Sequence, residues 1–276
     1  ELETRLGAVE TRLLLGETRM AWQGALDIDP AATQSLANIA SNYNQTATDS
    51  ARQVAINPDD GSFVVVWTSQ NQDGNGNGVY LRRFDAAGNP LSGEIRVNTA
   101  TANNQQTPSI AMDDGGKFVV VWESENQDGS GWGIYAQRFN ANASKAGGEF
   151  RVNTTTTNDQ RNPSLAMDAA GNFIVAWQSA NQDGDGWGIY AQRYNANGSK
   201  IGGEFRVNST TSDDQTQPAV AMNASGAFVV IWRTSDGNEI HGRLFDAAGN
   251  TIKSEFQVNP YSTTTTDRSQ PAVAMN

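Results

Sequence analysis

The sequence predicts an all-β protein, a tandem array of four-stranded antiparallel blades forming a β-propeller or part of one, preceded by an N-terminal coiled-coil α-helix. Two periodicities carry this prediction. Trp67, Trp122, Trp177 and Trp232 recur every 55 residues, and Pro108, Pro163 and Pro218 keep the same interval. A seven-residue period, Glu3-Thr-Arg-Leu6, Glu10-Thr-Arg-Leu13 and Glu17-Thr-Arg-Met20, fills the first 22 residues. A fixed period of several tens of residues marks units that bury their faces against one another.

In the heptads, Leu6, Leu13 and Met20 occupy position a, with Leu2, Val9 and Gly16 at d. Arg5 and Arg12 at g then face Glu10 and Glu17 at e of a parallel neighbour, so apolar seam and charge register agree. The expectation is a parallel homo-oligomer through residues 1–22, with a trimer as the assumed strand number. A single helix docked on its own β-domain is the competing reading, and Gly16 at d weakens the coil. Residues 25–49 read as a linker, in which Ala25-Leu-Asp-Ile-Asp29 has the pattern of an outer strand.

Residues 50–276 divide into units 50–104, 105–159, 160–214 and 215–267, followed by the start of a fifth at Pro271-Ala-Val-Ala-Met-Asn276. Each unit reads as four short strands separated by turn clusters. In the second, strand A is Ser109–Asp113, strand B Phe118–Trp122, strand C Ile134–Phe139 and strand D Glu149–Asn153. Strand B is apolar on both faces and must be covered on both sides. Strand D alternates, as a half-exposed outer strand does. A sheet buried on both faces at its centre and polar at one edge matches a propeller blade, with an open solenoid of the same units as the alternative. The chain starts within the heptads and stops within a repeat, so a fragment of a longer protein is expected.

The charge balance is 19 cations against 30 anions, −11 overall. An acidic surface repels phosphate backbones and anionic lipid, which argues against nucleic-acid binding. No apolar stretch approaches the ~18 residues of a membrane helix, so no membrane insertion is expected. Cysteine is absent, which excludes disulfides and thiolate chemistry.

The B–C loops carry the candidate chemistry: Asn71-Gln-Asp-Gly-Asn-Gly-Asn-Gly78, Asn126-Gln-Asp-Gly-Ser-Gly-Trp-Gly133 and Asn181-Gln-Asp-Gly-Asp-Gly-Trp-Gly188. Oxygen side chains alternating with glycine resemble the first half of a calcium loop. The candidate ligands are Asp183, Asp185 and Asn181, then Asp73, Asn75 and Asn77, then Asp128, Ser130 and Asn126. The downstream bidentate glutamate is missing, and ordinary Asn/Asp/Gly turn chemistry explains the same residues. Trp132 and Trp187, each between two glycines, are candidate platforms for a sugar ring, with packing across a blade edge as the alternative. His241 is the sole histidine and stands in the atypical fourth unit, whose B–C loop is four residues shorter. Glycoside hydrolysis needs two carboxylates, but the acidic positions recur by repetition instead of forming one unsymmetrical site.

Trp122-Glu-Ser-Glu-Asn-Gln-Asp-Gly129, Gly133-Ile-Tyr-Ala-Gln-Arg-Phe139 and Gly147-Gly-Glu-Phe-Arg-Val-Asn153 resemble a tandem repeat of large bacterial, notably cyanobacterial, surface and secreted proteins. The resemblance covers roughly residues 50–276. It implies an extracellular or cell-surface bacterial location, often beside calcium-binding or cadherin-like modules, and assigns no activity. The expectation is therefore a non-catalytic structural or adhesive surface component on a coiled-coil stalk, with surface glycans or neighbouring surface proteins as partners. A glycan-binding propeller is the alternative, and a glycosidase ranks last.

Overall fold

The structure is a computed structural model, and it describes residues 45–46, 52–235, 239–259 and 271–275. The heptad helix and the strand expected at Ala25–Asp29 lie outside the described residues. Within them there is no helix, and seventeen strands form four antiparallel sheets.

Blade 1 joins β1 (Gln45–Thr46) and β2 (Val54–Ile56), which both pair with β3 (Phe63–Gln70), to β4 (Asn77–Phe84) and β5 (Ile95–Arg96). Blade 2 is the meander β6 (Gln105–Met112), β7 (Phe118–Glu125), β8 (Trp132–Phe139) and β9 (Phe150–Arg151). Blade 3 repeats it with β10 (Gln160–Met167), β11 (Phe173–Ala180), β12 (Trp187–Tyr194) and β13 (Lys200–Arg206). Blade 4 consists of β14 (Gln215–Met222), β15 (Phe228–Thr234), β16 (Ile240–Phe245) and β17 (Thr251–Gln257). Residues 271–275, which repeat Pro218–Met222 of β14 in sequence, belong to no strand.

Local chemistry sets the turns. The Asp113 N–H donates to the Lys117 carbonyl, and Gly116, at φ +76°, donates back to the Asp113 carbonyl. The Asp113 carboxylate also accepts the Lys117 N–H at 2.8 Å. This is the three-residue hairpin that ends in a left-handed glycine. Just beyond it, Phe118 stacks on its cross-strand partner Phe139 at 4.9 Å between centroids. Phe63–Phe84, Phe173–Tyr194 and Phe228–Phe245 repeat that pair.

Strand A begins four residues earlier than its apolar pattern indicates. Pairing with strand B is interrupted between Gln106 and Ser109 and resumes at Gln105 and Gln106, opposite Ser124 and Glu123. Thr107 at φ +54°, with Asn162 and Gln217 at the same position in β10 and β14, marks the bulge. Pro108, which has no N–H for the ladder, falls within it.

The two-sided apolar runs of strand B sort as expected. Val119 and Val121, with Ile134, Ala136 and Val152, pack on blade 3 through Leu165, Phe173, Val175 and Trp177. Phe118, Val120 and Trp122, on the other face, pack on Val64, Val66 and Val79 of blade 1. The third seam has the same composition around Trp232. All four repeat tryptophans are buried, so truncating one to alanine is expected to cost about 3–5 kcal/mol.

The A strands lie innermost. The Ile110 N–H donates to the Arg52 carbonyl of blade 1, and the Val220 N–H to Ser164 Oγ of blade 3. The D strands lie outermost and are largely exposed in blades 3 and 4. Val97, Val152 and Val207, each facing a following blade, are 0% exposed, whereas Val258 at the same position of blade 4 is 50% exposed.

Candidate functional site

B–C and D–A loops emerge at one end of every sheet, and there the candidate residues meet. Asn71, Asn126 and Asn181 open the B–C loops in the left-handed region, φ 57–60°, the conformation asparagine tolerates best among residues with a side chain. The loop then folds back, so that Asp128 Oδ2 accepts a hydrogen bond from Asn153 Nδ2 at 3.3 Å. Asp73–Asn98 at 3.1 Å and Asp183–Asn208 at 3.0 Å repeat this bond. Asn153 Oδ1 in turn accepts the Ile134 N–H, and its amide group also donates to the buried Gln160. The aspartates of the Gln-Asp-Gly motifs therefore tie each B–C loop to the following D–A loop. Burial, with the Asp128 carboxylate adding to it, pushes the Tyr135 phenol up to about 12, and Tyr190 beside Asp183 behaves alike.

The other calcium candidates are also engaged in hydrogen bonds within the loops. Asp185 Oδ2 accepts from the Asp213 N–H, Ser130 N–H donates to Asp128, and Asn75 N–H donates to Asp73. Asn77 donates to Asn104 and Gln106. Among the described residues no three acidic or histidine side chains gather around a point that would hold a metal.

A second latch runs between blades. Glu149 of strand D accepts the Thr99 N–H of the preceding D–A loop at 2.6 Å, while its other oxygen accepts Gln127 Nε2 at 2.6 Å. Glu204 holds Thr154 and Gln182 in the same way. In blade 4 the B–C loop is short and supplies no such glutamine. There Glu255 accepts from Ser209, and His241 Nδ1 lies 3.0 Å from its second oxygen. His241 Nε2 lies 3.0 Å from Glu239. The departure of His241 from the tyrosine of the other blades thus has a structural reason, because it fills the glutamine's place.

Near the inner strands the repeats stop being equivalent. Between blades 2 and 3, Glu123 is 1% exposed and accepts from Arg161 Nε and Nη2, both at 3.3 Å, and from the Asn162 N–H at 2.7 Å. Burial raises the Glu123 carboxyl above the ordinary glutamate range, against the pull of Asn162 and Arg161. The Arg161 guanidinium also lies over the partly exposed Trp132 ring, 4.5 Å from its centroid. Between blades 3 and 4 the corresponding residues are Gln178, Thr216 and Trp187, and Gln178 accepts the Gln217 N–H at 3.0 Å. Between blades 1 and 2 they are Thr68, Gln106 and Asn77. Both tryptophans are held by their backbone, since Trp132 N–H donates to Asp159 and Trp187 N–H to Asp214. The sequence reading missed Glu123 and Arg161. Their signal is a change of residue type, Thr68, Glu123, Gln178 and Arg233, just after each core tryptophan in otherwise matching units.

A separate cleft of about 210 Å³ opens between blades 2 and 3 at the A–B turn end, lined by Asp113, Lys117, Arg138 and Asn140 among others.

These features define a propeller-like array whose loop face holds two partly exposed tryptophans above a seam that differs from blade to blade. No protein-family model matches the chain, and no curated protein does. Solved structures do. A protein of unknown function from Dyadobacter fermentans superposes with a TM-score of 0.58 at 9% identity, over 78% of this chain and 69% of that one. The Hadza microbial sialidase Hz136 matches with a TM-score of 0.54 at 11% identity, over 78% of this chain and 47% of its own. The family GH93 α-L-arabinofuranosidase of Fusarium graminearum, in complex with arabinobiose, matches at 0.51 and 12% identity, over 79% and 68%. The chain thus spans about half the length of the sialidase. At these identities the likeness is one of fold.

The comparison corrects the functional expectation. A non-catalytic structural or adhesive role, with enzymatic activity excluded, does not stand against a fold whose solved examples include a sialidase and an arabinofuranosidase. Repetition of the loops does not make the array symmetrical. The acidic loop positions recur from unit to unit, whereas the charged pair Glu123 and Arg161 sits at the inner end of one seam, where the neighbouring seams carry Gln178 with Thr216 and Thr68 with Gln106.

Proposed function

We propose that this chain is a glycan-binding β-propeller that engages carbohydrate on its loop face. The observation carrying the reading is the placement of Trp132 and Trp187, partly exposed, on one face and each fixed by a carboxylate on its backbone N–H. An indole offers a flat apolar surface to the C–H face of a sugar, and the surrounding Asp, Asn and Thr side chains bond hydroxyl groups. The arabinobiose in the arabinofuranosidase complex gives support, since a protein of this fold holds a sugar. The repeat's resemblance to bacterial surface proteins supports action at or outside the cell surface.

The test is a glycan array with the full chain, alongside Trp132→Ala/Trp187→Ala and a check that the variant melts like the parent. Binding to at least one glycan class, lost in the double variant, is expected. Binding that survives in the folded double variant, or none to any glycan, would overturn the reading. Incubating bound glycans and measuring released sugar determines whether binding is followed by hydrolysis.

A further inference from the structure

The two tryptophan stations differ in charge, and the difference selects a ligand class. At Trp132 one face of the indole is occupied by the Arg161 guanidinium, which two nitrogens tie to the buried Glu123. At Trp187 the positions of Arg161 and Glu123 are held by Thr216 and Gln178, neither of them charged. The loop residues change in the opposite sense. Ser130 beside Trp132 becomes Asp185 beside Trp187, and Asn158 becomes Asp213.

Both of these aspartates are exposed, and the backbone holds them together, because Asp185 Oδ2 accepts the Asp213 N–H at 3.3 Å. Asp214 follows directly and accepts the Trp187 N–H at 3.0 Å. With Asp183, four carboxylates therefore belong to the loop pair that frames Trp187, against two, Asp128 and Asp159, at Trp132. Gly186, at φ +52°, lets this pair close: a β-carbon there would collide with Asp214 Oδ1.

A carboxylate accepts hydrogen bonds from neutral sugar hydroxyls, and charged acceptors form the stronger kind of bond. The same carboxylates repel a uronate, sialate or sulfate group brought within a Debye length. From the placement of Asp185, Asp213 and Asp214 around Trp187, with Arg161 covering the ring of Trp132, we infer that Trp187 is the principal sugar-stacking station and that it takes neutral glycans in preference to acidic ones. The inference rests on the carbohydrate reading of this face.

The experiment compares two panels on the full chain by titration calorimetry, neutral arabino-, galacto- and gluco-oligosaccharides against sialylated, uronate and sulfated ones. The wild type is expected to bind a neutral glycan and to bind acidic ones at least about tenfold more weakly. Trp187→Ala should lower neutral binding by roughly tenfold or more, and Trp132→Ala by less. Asp185→Asn/Asp213→Asn should improve binding of acidic glycans, and added salt should shrink that improvement. Acidic glycans bound as tightly as neutral ones by the wild type would overturn the inference and leave the carbohydrate reading standing. A loss in Trp132→Ala equal to that in Trp187→Ala would do the same. No binding of either panel would remove both.

Discussion

The Asp128 carboxylate occupies the space that a side chain at Gly133 would fill: a β-carbon on Gly133 would lie 2.6 Å from Asp128 Oδ2. Gly78 stands in the same relation to Asp73, also at 2.6 Å, and Gly188 to Asp183. The glycine that opens Gly133-Ile-Tyr-Ala-Gln-Arg-Phe139 is therefore needed for close approach, because its backbone φ does not lie in the left-handed region.

Gly133→Ala should consequently expel Asp128 from its bond to Asn153 and cost about 2 kcal/mol. Replacing the aspartate as well removes the collision. Asp128→Ala/Gly133→Ala should be more stable than the sum of the single changes implies, with a coupling of about 1 kcal/mol or more, read from urea unfolding of the four proteins.

The buried Glu123–Arg161 pair supports a second cycle. Arg161→Thr strands a carboxylate in the seam and should cost about 3 kcal/mol. Glu123→Gln/Arg161→Thr reproduces the neighbouring seam, where Gln178 accepts the Gln217 N–H and Thr216 replaces the arginine, and should recover most of that loss. Because burial raises the Glu123 carboxyl in the folded chain, its contribution is fully present below the ordinary glutamate range and is lost as pH rises through the folded value. Glu123→Gln should remove that component of the stability curve. An unchanged pH profile in this variant would disprove the assignment.

Glu255 has the opposite sign. Burial raises its carboxyl, but hydrogen bonds from Ser209, His241 and Thr210 outweigh that and leave it lowered. Its contribution is present above the ordinary glutamate value of about 4.3 and is lost as pH falls through the lower folded value. Thermal unfolding followed across about pH 3–6 should show a weaker acid dependence in Glu255→Gln than in the parent, together with a lower midpoint at neutral pH.

The heptads make a prediction of their own. Leu6→Glu/Leu13→Glu places charge in the apolar seam. It should reduce the mass measured by light scattering from an oligomer to a single chain while leaving the β-sheet signal intact. Equal masses for parent and variant would argue against assembly through residues 1–22.

Much of the fold was legible because its determinants are local or periodic. The spacing of Trp67, Trp122, Trp177 and Trp232 located the blades, and the apolar run Phe118–Trp122 announced a strand covered on both sides. The inner extension of strand A was not legible. Gln105 and Gln106 look like loop residues, and the bulge that returns them to the ladder uses Thr107, whose type does not signal positive φ. The loop chemistry was half legible: the Asp, Asn and Gly types were noticed, but nothing in Gln127-Asp-Gly129 says that its aspartate docks on Asn153, 25 residues away. Glu123 and Arg161 escaped because they lie 38 residues apart and meet only when two blades pack.

The glutamate latch has a direction. Glu149, Glu204 and Glu255 each reach backward to satisfy an N–H that the previous blade leaves open, at Thr99, Thr154 and Ser209. The latch on each D–A loop thus comes from the blade after it, whereas near the inner strands Glu123 and Gln178 satisfy the Asn162 and Gln217 N–H groups of the blade that follows. Deleting a 55-residue module would strip an acceptor from a preceding blade that keeps its own sequence. Neighbouring blades therefore complete one another in both directions, by glutamates on the loop face and by Glu123 and Gln178 near the inner strands.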